Sequence, residues 1–220
     1  MKKNLLVWQL LTLAAVLAPS LYLLCVWPQL PAQVPTHFDG SGQANGYTTR
    51  NHMWLLTLGL PLGVALFFSI LPYLDPKQRL DSNSVNFQKL RLAMVVMLGG
   101  VASYGLYMAR HPGTPGRGLM VLLGLLLAFM GNYLTTVQPN YFVGIRTPWT
   151  LESPTVWART HRVGGIGFCL AGLLIAGLAL VAPTRQMHLV FAGLLLLTAV
   201  FCYGYSYFIF RQEERLRNVA

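Results

Sequence analysis

Charge is scarce in this sequence. Only 10% of its 220 residues are Asp, Glu, Lys or Arg, against about 25% in a soluble globular domain. So few charges cannot clothe a water-facing surface. Acids are the scarcer sign, with six Asp+Glu against sixteen Lys+Arg and a net charge of +10. A basic balance can signal nucleic-acid binding. Here the bases sit at the ends of apolar runs rather than along one face, as they do beside membrane spans, so no direct nucleic-acid partner is expected. Cysteine is scarce too. Cys25, Cys169 and Cys202 all fall inside apolar runs. Their odd number and spacing exclude a disulfide framework and a cysteine zinc site.

What the chain has instead is long apolar sequence. Its residues are 55% hydrophobic, with mean hydropathy +0.52. Six runs carry no Asp, Glu, Lys, Arg or His: 5–27, 53–73, 92–109, 119–137, 163–182 and 189–210. Each is long enough to cross a hydrocarbon core of about 30 Å at 1.5 Å per residue. None alternates in polarity, which excludes the strands of a membrane barrel. The first run follows Lys2 and Lys3 as a signal peptide would. Its apolar stretch exceeds the usual ~7–15 residues and no small-x-small site ends it, so it is read as a span. The expected fold is an all-α integral membrane protein with six transmembrane helices.

Placing the N-terminus in the cytoplasm leaves Lys2, Lys3, Lys77, Arg79, Lys89, Arg91, Arg146, Arg159, Arg162, Arg211, Arg215 and Arg217 inside. Arg50, Arg110, Arg117 and Arg185 fall outside. Twelve bases against four is a positive-inside bias, and the loops are short enough for that rule to apply. Both termini are therefore expected in the cytoplasm.

Small residues should let the spans approach closely. Gly172 and Ala176 have the required spacing, and Gly99, Gly100, Gly105, Ala14 and Ala18 offer further positions. Pro19 and Pro61 should kink their helices. Asn132, beside Gly131, is the deepest polar candidate, and a buried Asn needs a neighbouring helix for its hydrogen bonds. The absence of Asp, Glu, Lys, Arg and His within the runs counts against an ion-coupled transporter.

Two loops interrupt the apolar sequence with specific content. The outer loop, 28–52, carries the turn pairs Asp39-Gly40, Ser41-Gly42 and Asn45-Gly46 and an extended, proline-rich beginning. It reads as a short ordered lid. Its candidate ligand contacts are His37, Asp39, Asn45, Tyr47 and His52. His37 and Asp39 share a face in an extended segment and, with His52, have zinc-ligating chemistry. The spacing is looser than a zinc motif, and a hydrogen-bonding role is the ordinary explanation. No cofactor is expected. Calcium is disfavoured because the Asp-Gly-Ser-Gly stretch has one carboxylate where several are usual.

The inner loop, 138–162, places Arg146 in Gly-Ile-Arg-Thr-Pro-Trp. A guanidinium fork suits carboxylate, phosphate or headgroup oxygens. Thr147 should be extended because Pro148 follows it. Ser153 should cap a helix that Pro154 begins. Trp157 and His161 then stand one turn apart on one face. Anchoring at the interface is the ordinary role of such Trp and Arg residues, but it does not require this density of small, polar and rigid neighbours.

The order Gly131-Asn132-Tyr133, then Pro139-Asn140-Tyr141-Phe142-Val143-Gly144-Ile145-Arg146-Thr147-Pro148-Trp149-Thr150-Leu151, then Val156-Trp157 and Thr160-His161-Arg162 resembles the signature of the SdpI family of bacterial membrane immunity proteins. The outer string Leu-Pro-Ala-Gln-Val-Pro-Thr-His-Phe-Asp-Gly-Ser-Gly-Gln-Ala-Asn-Gly-Tyr is similar to the uncharacterised domain that commonly precedes it. The resemblance implies a two-span unit over 1–90 and a four-span unit over 91–220. It also implies a set of inner-loop residues: Asn132, Asn140, Gly144, Arg146, Thr147, Pro148, Trp149, Trp157 and His161. In the family's namesake it implies protection from a secreted peptide toxin and signalling by holding a transcriptional repressor at the membrane. For this chain the expected function is therefore immunity or signalling. The partners would be the lipid bilayer, an outer-face toxin and a cytoplasmic repressor or other protein. Two alternatives are a membrane-embedded enzyme acting on a lipid or peptide, in one version with a metal, and a transporter of lipids or small molecules.

Overall fold

A computed structural model describes residues 2–39, 44–74, 80–114, 116–140 and 142–219. Six of its helices are long and apolar enough to cross a membrane, in agreement with the six runs. The glycines and serine at 40–42, Lys77 and Arg79 lie outside the described residues.

Helix α1 (Lys2–Val26) shows why a greasy helix can still have a buried side. Thr12, Val16, Ser20, Leu23 and Val26 are buried, at helical spacing. Leu6, Leu10, Leu13, Leu17, Leu21 and Leu24 form an exposed apolar stripe, which only a lipid environment suits. Ala14 and Ala18 lie on the exposed side, so they are not the packing positions expected of them. Pro19 is, and its ring meets Gly99 of α3 so closely that a Cβ at Gly99 would lie 2.6 Å from Pro19 Cγ. Helix α1 continues through Pro19.

The outer loop is not merely a lid of turns. Strands β1 (Gln33–Phe38) and β2 (Ala44–Thr49) pair antiparallel, Gln33 opposite Thr49 and His37 opposite Gly46. The chain then re-enters through a short 3₁₀ turn, Arg50–His52, and a π turn, Leu55–Gly59, before α2 (Leu60–Leu74). Proline explains the π turn. Pro61 has no N–H to offer the Thr57 carbonyl, and the Leu60 N–H bonds Leu55 O instead. The expected kink at Pro61 is realised as this change of helical register. The buried Thr57 hydroxyl donates to Met53 O at 2.8 Å, which holds the widened turn.

Helices α3 (Val85–Arg110), α4 (Arg117–Leu134), α6 (Pro154–Val181) and α7 (Thr184–Val219) complete the spans. A short helix α5 (Pro148–Glu152) lies in the inner loop. The tightest pairing is α4 with α6, and glycine is the reason. A Cβ on Gly131 would lie 2.3 Å from Cys169 N and one on Gly172 2.3 Å from Ala128 N. The two backbones touch across successive turns, as small residues permit in lipid.

Six crossings put the hairpin and the α3–α4 and α6–α7 turns on one face of the bundle. The start of α3, residues 135–140 and 142–153, and the end of α7 share the other. Leu23, Val26, Leu30, Val34, Met53 and Leu106 form a core directly beneath the hairpin. Phe68, Leu71, Phe87 and Leu90 form another near the opposite face.

Candidate functional site

The hairpin roofs a cleft of about 750 Å³. Its rim carries Thr36, His37, Tyr47, Thr48 and His52. Leu55, Leu56 and Leu60 of the π turn and the start of α2 form one wall, and Leu119 of α4 contributes to another. The floor is α3: Leu98, Val101, Ala102 and Gly105. The small residues there have a physical purpose. Gly105 lets the Pro35 carbonyl of the hairpin come within 3.2 Å of where a Cβ would be. A volume of this size, apolar within and polar at its mouth, has the form of a small-ligand or side-chain site.

Of the five outer-loop candidates, His37, Tyr47 and His52 line the cleft. Asp39 and Asn45 are exposed on the hairpin and do not line it. Thr36 Oγ1 lies 3.3 Å from His37 Nδ1, and Thr48 Oγ1 lies 3.5 Å from His52 Nδ1. His37, Asp39 and His52 form no metal-holding group among the described residues. The ladder explains their separation. His37 pairs near the tip, whereas His52 follows the base of β2. Arg50 caps the outside of the roof, its guanidinium carbon 4.8 Å from the centre of the Trp27 ring.

On the opposite face, residues 135–140 and 142–153 form a folded plug. Asn140 ties its own turn. Its Oδ1 accepts from the N–H groups of Phe142 (2.8 Å) and Val143 (2.7 Å), and its Nδ2 donates to the carbonyls of Gln138 and Val143. Thr147, extended at ψ 162°, caps α5 in a reciprocal box with Thr150. Pro148 opens α5, as the X-Pro rule predicts. Ser153 caps α6 by accepting from Val156 N–H at 3.3 Å and also donates to Glu213 Oε2 of α7 at 2.7 Å. Trp149 packs against Tyr203 and Tyr207 of α7, with ring centres 4.9 and 5.0 Å apart.

Trp157 and His161 stack at 4.0 Å, as their spacing predicts. Both are buried. Trp157 Nε1–H donates to Val137 O at 2.9 Å. His161 uses both ring nitrogens: Nδ1–H donates to Trp157 O, and Nε2 accepts from Ile145 N–H, each at 2.9 Å. That pair of partners requires the neutral Nδ1–H tautomer. Neither nitrogen is left for a metal or a substrate proton. Gly144, with φ +137°, passes so close that a Cβ would lie 2.4 Å from His161 Nε2.

Arg146 is exposed and lines a second cavity of about 500 Å³ with Leu134, Phe168, Cys202 and Tyr203. Asn132 is exposed rather than buried, because it falls on the outward side of α4's last turn. Sequence reasoning missed the floor of the cleft, whose residues come from an apolar run with no local signal. It also missed Gln88 and Arg91 of α3. Both are buried, although Arg91 reads as a loop base.

These features define a class: a six-span helical membrane protein with a hairpin-roofed cleft on one face and a plugged loop on the other. The SdpI/YfhL protein family matches residues 136–206, from the plug through most of α7, which bears out the resemblance. A domain of unknown function, DUF1648, matches residues 14–60, from α1 through the hairpin and π turn. Immunity protein SdpI of Bacillus subtilis (strain 168) is 35% identical over 57 residues, 26% of this chain. The match spans 28% of that protein's length. No solved structure matches the chain.

Proposed function

We propose that this chain is a membrane immunity protein, and that the cleft beneath the hairpin receives a secreted peptide toxin. The cleft carries this reading, since it is the large apolar recess on the face where such a toxin arrives. Apolar toxin side chains would rest on Leu98, Val101 and Ala102, with the rim histidines and Tyr47 bonding the peptide backbone. The base distribution supports the orientation, with the hairpin outside a bacterial inner membrane and both termini in the cytoplasm. The similarity to an immunity protein supports the activity. In this reading the plug braces α6 and α7 and relays occupancy of the cleft to a cytoplasmic partner.

The test is survival. A toxin-sensitive bacterium expressing the chain is challenged with a panel of secreted membrane-active peptides, and protection against at least one is expected. The variant Ala102→Trp, which fills the cleft, should reach the membrane at wild-type level and protect against none. Unchanged killing across the panel by wild type, or full protection by Ala102→Trp, would sink the proposal.

A further inference from the structure

Gln88 and Arg91 stand one turn apart on α3, 3% and 9% exposed. Both lack partners they need. Gln88 Nε2 donates to Ser82 O, but its Oε1 is buried with no hydrogen-bond partner. Among the described residues Arg91 Nη2 reaches the Thr12 hydroxyl of α1, at a long 3.4 Å, and Arg91 Nε is buried without an acceptor. Among the described residues no carboxylate pairs with Arg91. A guanidinium keeps its proton under all ordinary conditions, so burial cannot neutralise it. A buried charge without a counter-charge is strongly unfavourable, and within membrane helices such residues mark sites.

The depth of the pair narrows the counter-ion. Arg91 lies six residues into α3, about 9 Å along its axis. Helix α3 measures about 39 Å against a hydrocarbon core of about 30 Å, so Arg91 sits near the junction of headgroups and acyl chains. The chemistry narrows it further. The ligand must bring an anionic acceptor to Arg91 Nε and a donor to Gln88 Oε1. A phosphodiester with a hydroxyl-bearing headgroup brings both. A choline headgroup has no donor and cancels the charge.

We propose that Arg91 and Gln88 hold the phosphodiester headgroup of an anionic phospholipid between α1 and α3, in the leaflet where α1 begins. The lipid supplies the counter-charge that no described residue provides and cements α1 to the bundle. This site lies on the opposite face from the cleft and does not depend on the toxin reading.

The test uses the full chain, purified in detergent and delipidated. Phosphatidylglycerol, phosphatidylcholine or inorganic phosphate is added back, with thermal melting and native mass spectrometry as readouts. Phosphatidylglycerol should raise the melting temperature and remain bound at one per chain, and phosphatidylcholine should do neither. Arg91→Gln should weaken phosphatidylglycerol retention at least about tenfold, the loss expected of one charge-assisted hydrogen bond. Gln88→Leu keeps the cation and should narrow the preference for phosphatidylglycerol over phosphatidylcholine. It serves as the readout if Arg91→Gln does not fold. Equal retention by wild type and both variants overturns the proposal. Protection by inorganic phosphate as strong as by the lipid overturns the lipid assignment in favour of a free anion. Asp75 lies in the sequence between α2 and α3, outside the described residues; destabilisation by Asp75→Asn to which Arg91→Gln adds nothing also overturns the proposal, by showing that this carboxylate is the counter-ion.

Discussion

His161 Nε2 accepts a hydrogen bond from the backbone N–H of Ile145 at 2.9 Å. Sixteen residues separate the partners, and the bond pins the plug to the first turns of α6. Replacing His161 with Ala strands the Ile145 N–H and removes the stack on Trp157. The expected loss is about 2–4 kcal/mol, combining an unsatisfied buried donor with lost ring packing. Denaturant titration in detergent measures it. A loss below about 0.5 kcal/mol, the range of an unremarkable surface change, would show that the bond does not brace the plug.

Gly144 should tolerate no side chain. Its φ of +137° and the 2.4 Å approach to His161 Nε2 act together. Gly144→Ala is expected to cost about 3 kcal/mol or more, from backbone strain plus overpacking. Monodisperse yield in size-exclusion chromatography reports the outcome, and wild-type yield would contradict the geometry.

The α4–α6 contact makes a paired prediction. Gly172→Ala must push against Ala128 N, 2.3 Å from the new Cβ, whereas Gly177 has nothing within 4 Å. The first substitution should cost about 1–3 kcal/mol as overpacking. The second, in a helix interior, should be neutral or stabilising by up to about 1 kcal/mol. Equal melting temperatures for the two variants would refute close backbone packing here.

Arg146 tests the plug as more than a brace. It is exposed beside the cavity formed with Phe168 and Tyr203. Lysine keeps the charge and loses the planar fork. Arg146→Lys should therefore retain folded yield and lose protection in the survival assay. Retained protection would reduce Arg146 to a charged anchor.

Local chemistry made much of this protein legible without coordinates. Uncharged runs declare spans because the bilayer core tolerates no unpaired backbone and little charge. The Ser153 cap, the extended Thr147 and the shared face of Trp157 and His161 follow from rules that act within a few residues. Four features became visible only in the structure, and two of them, the cleft floor and the burial of Arg91, depend on residues far apart in the chain. The β-hairpin required pairing across a turn, and Pro61 produced a π turn rather than a simple kink. The cleft floor at Val101 and Ala102 is featureless as sequence and becomes a site only when the hairpin passes over Gly105. Arg91 reads as one more base at the end of a span. Its meaning changes once α1 packs beside it and leaves its guanidinium enclosed against Thr12, because burial is a property of neighbours rather than of the residue itself.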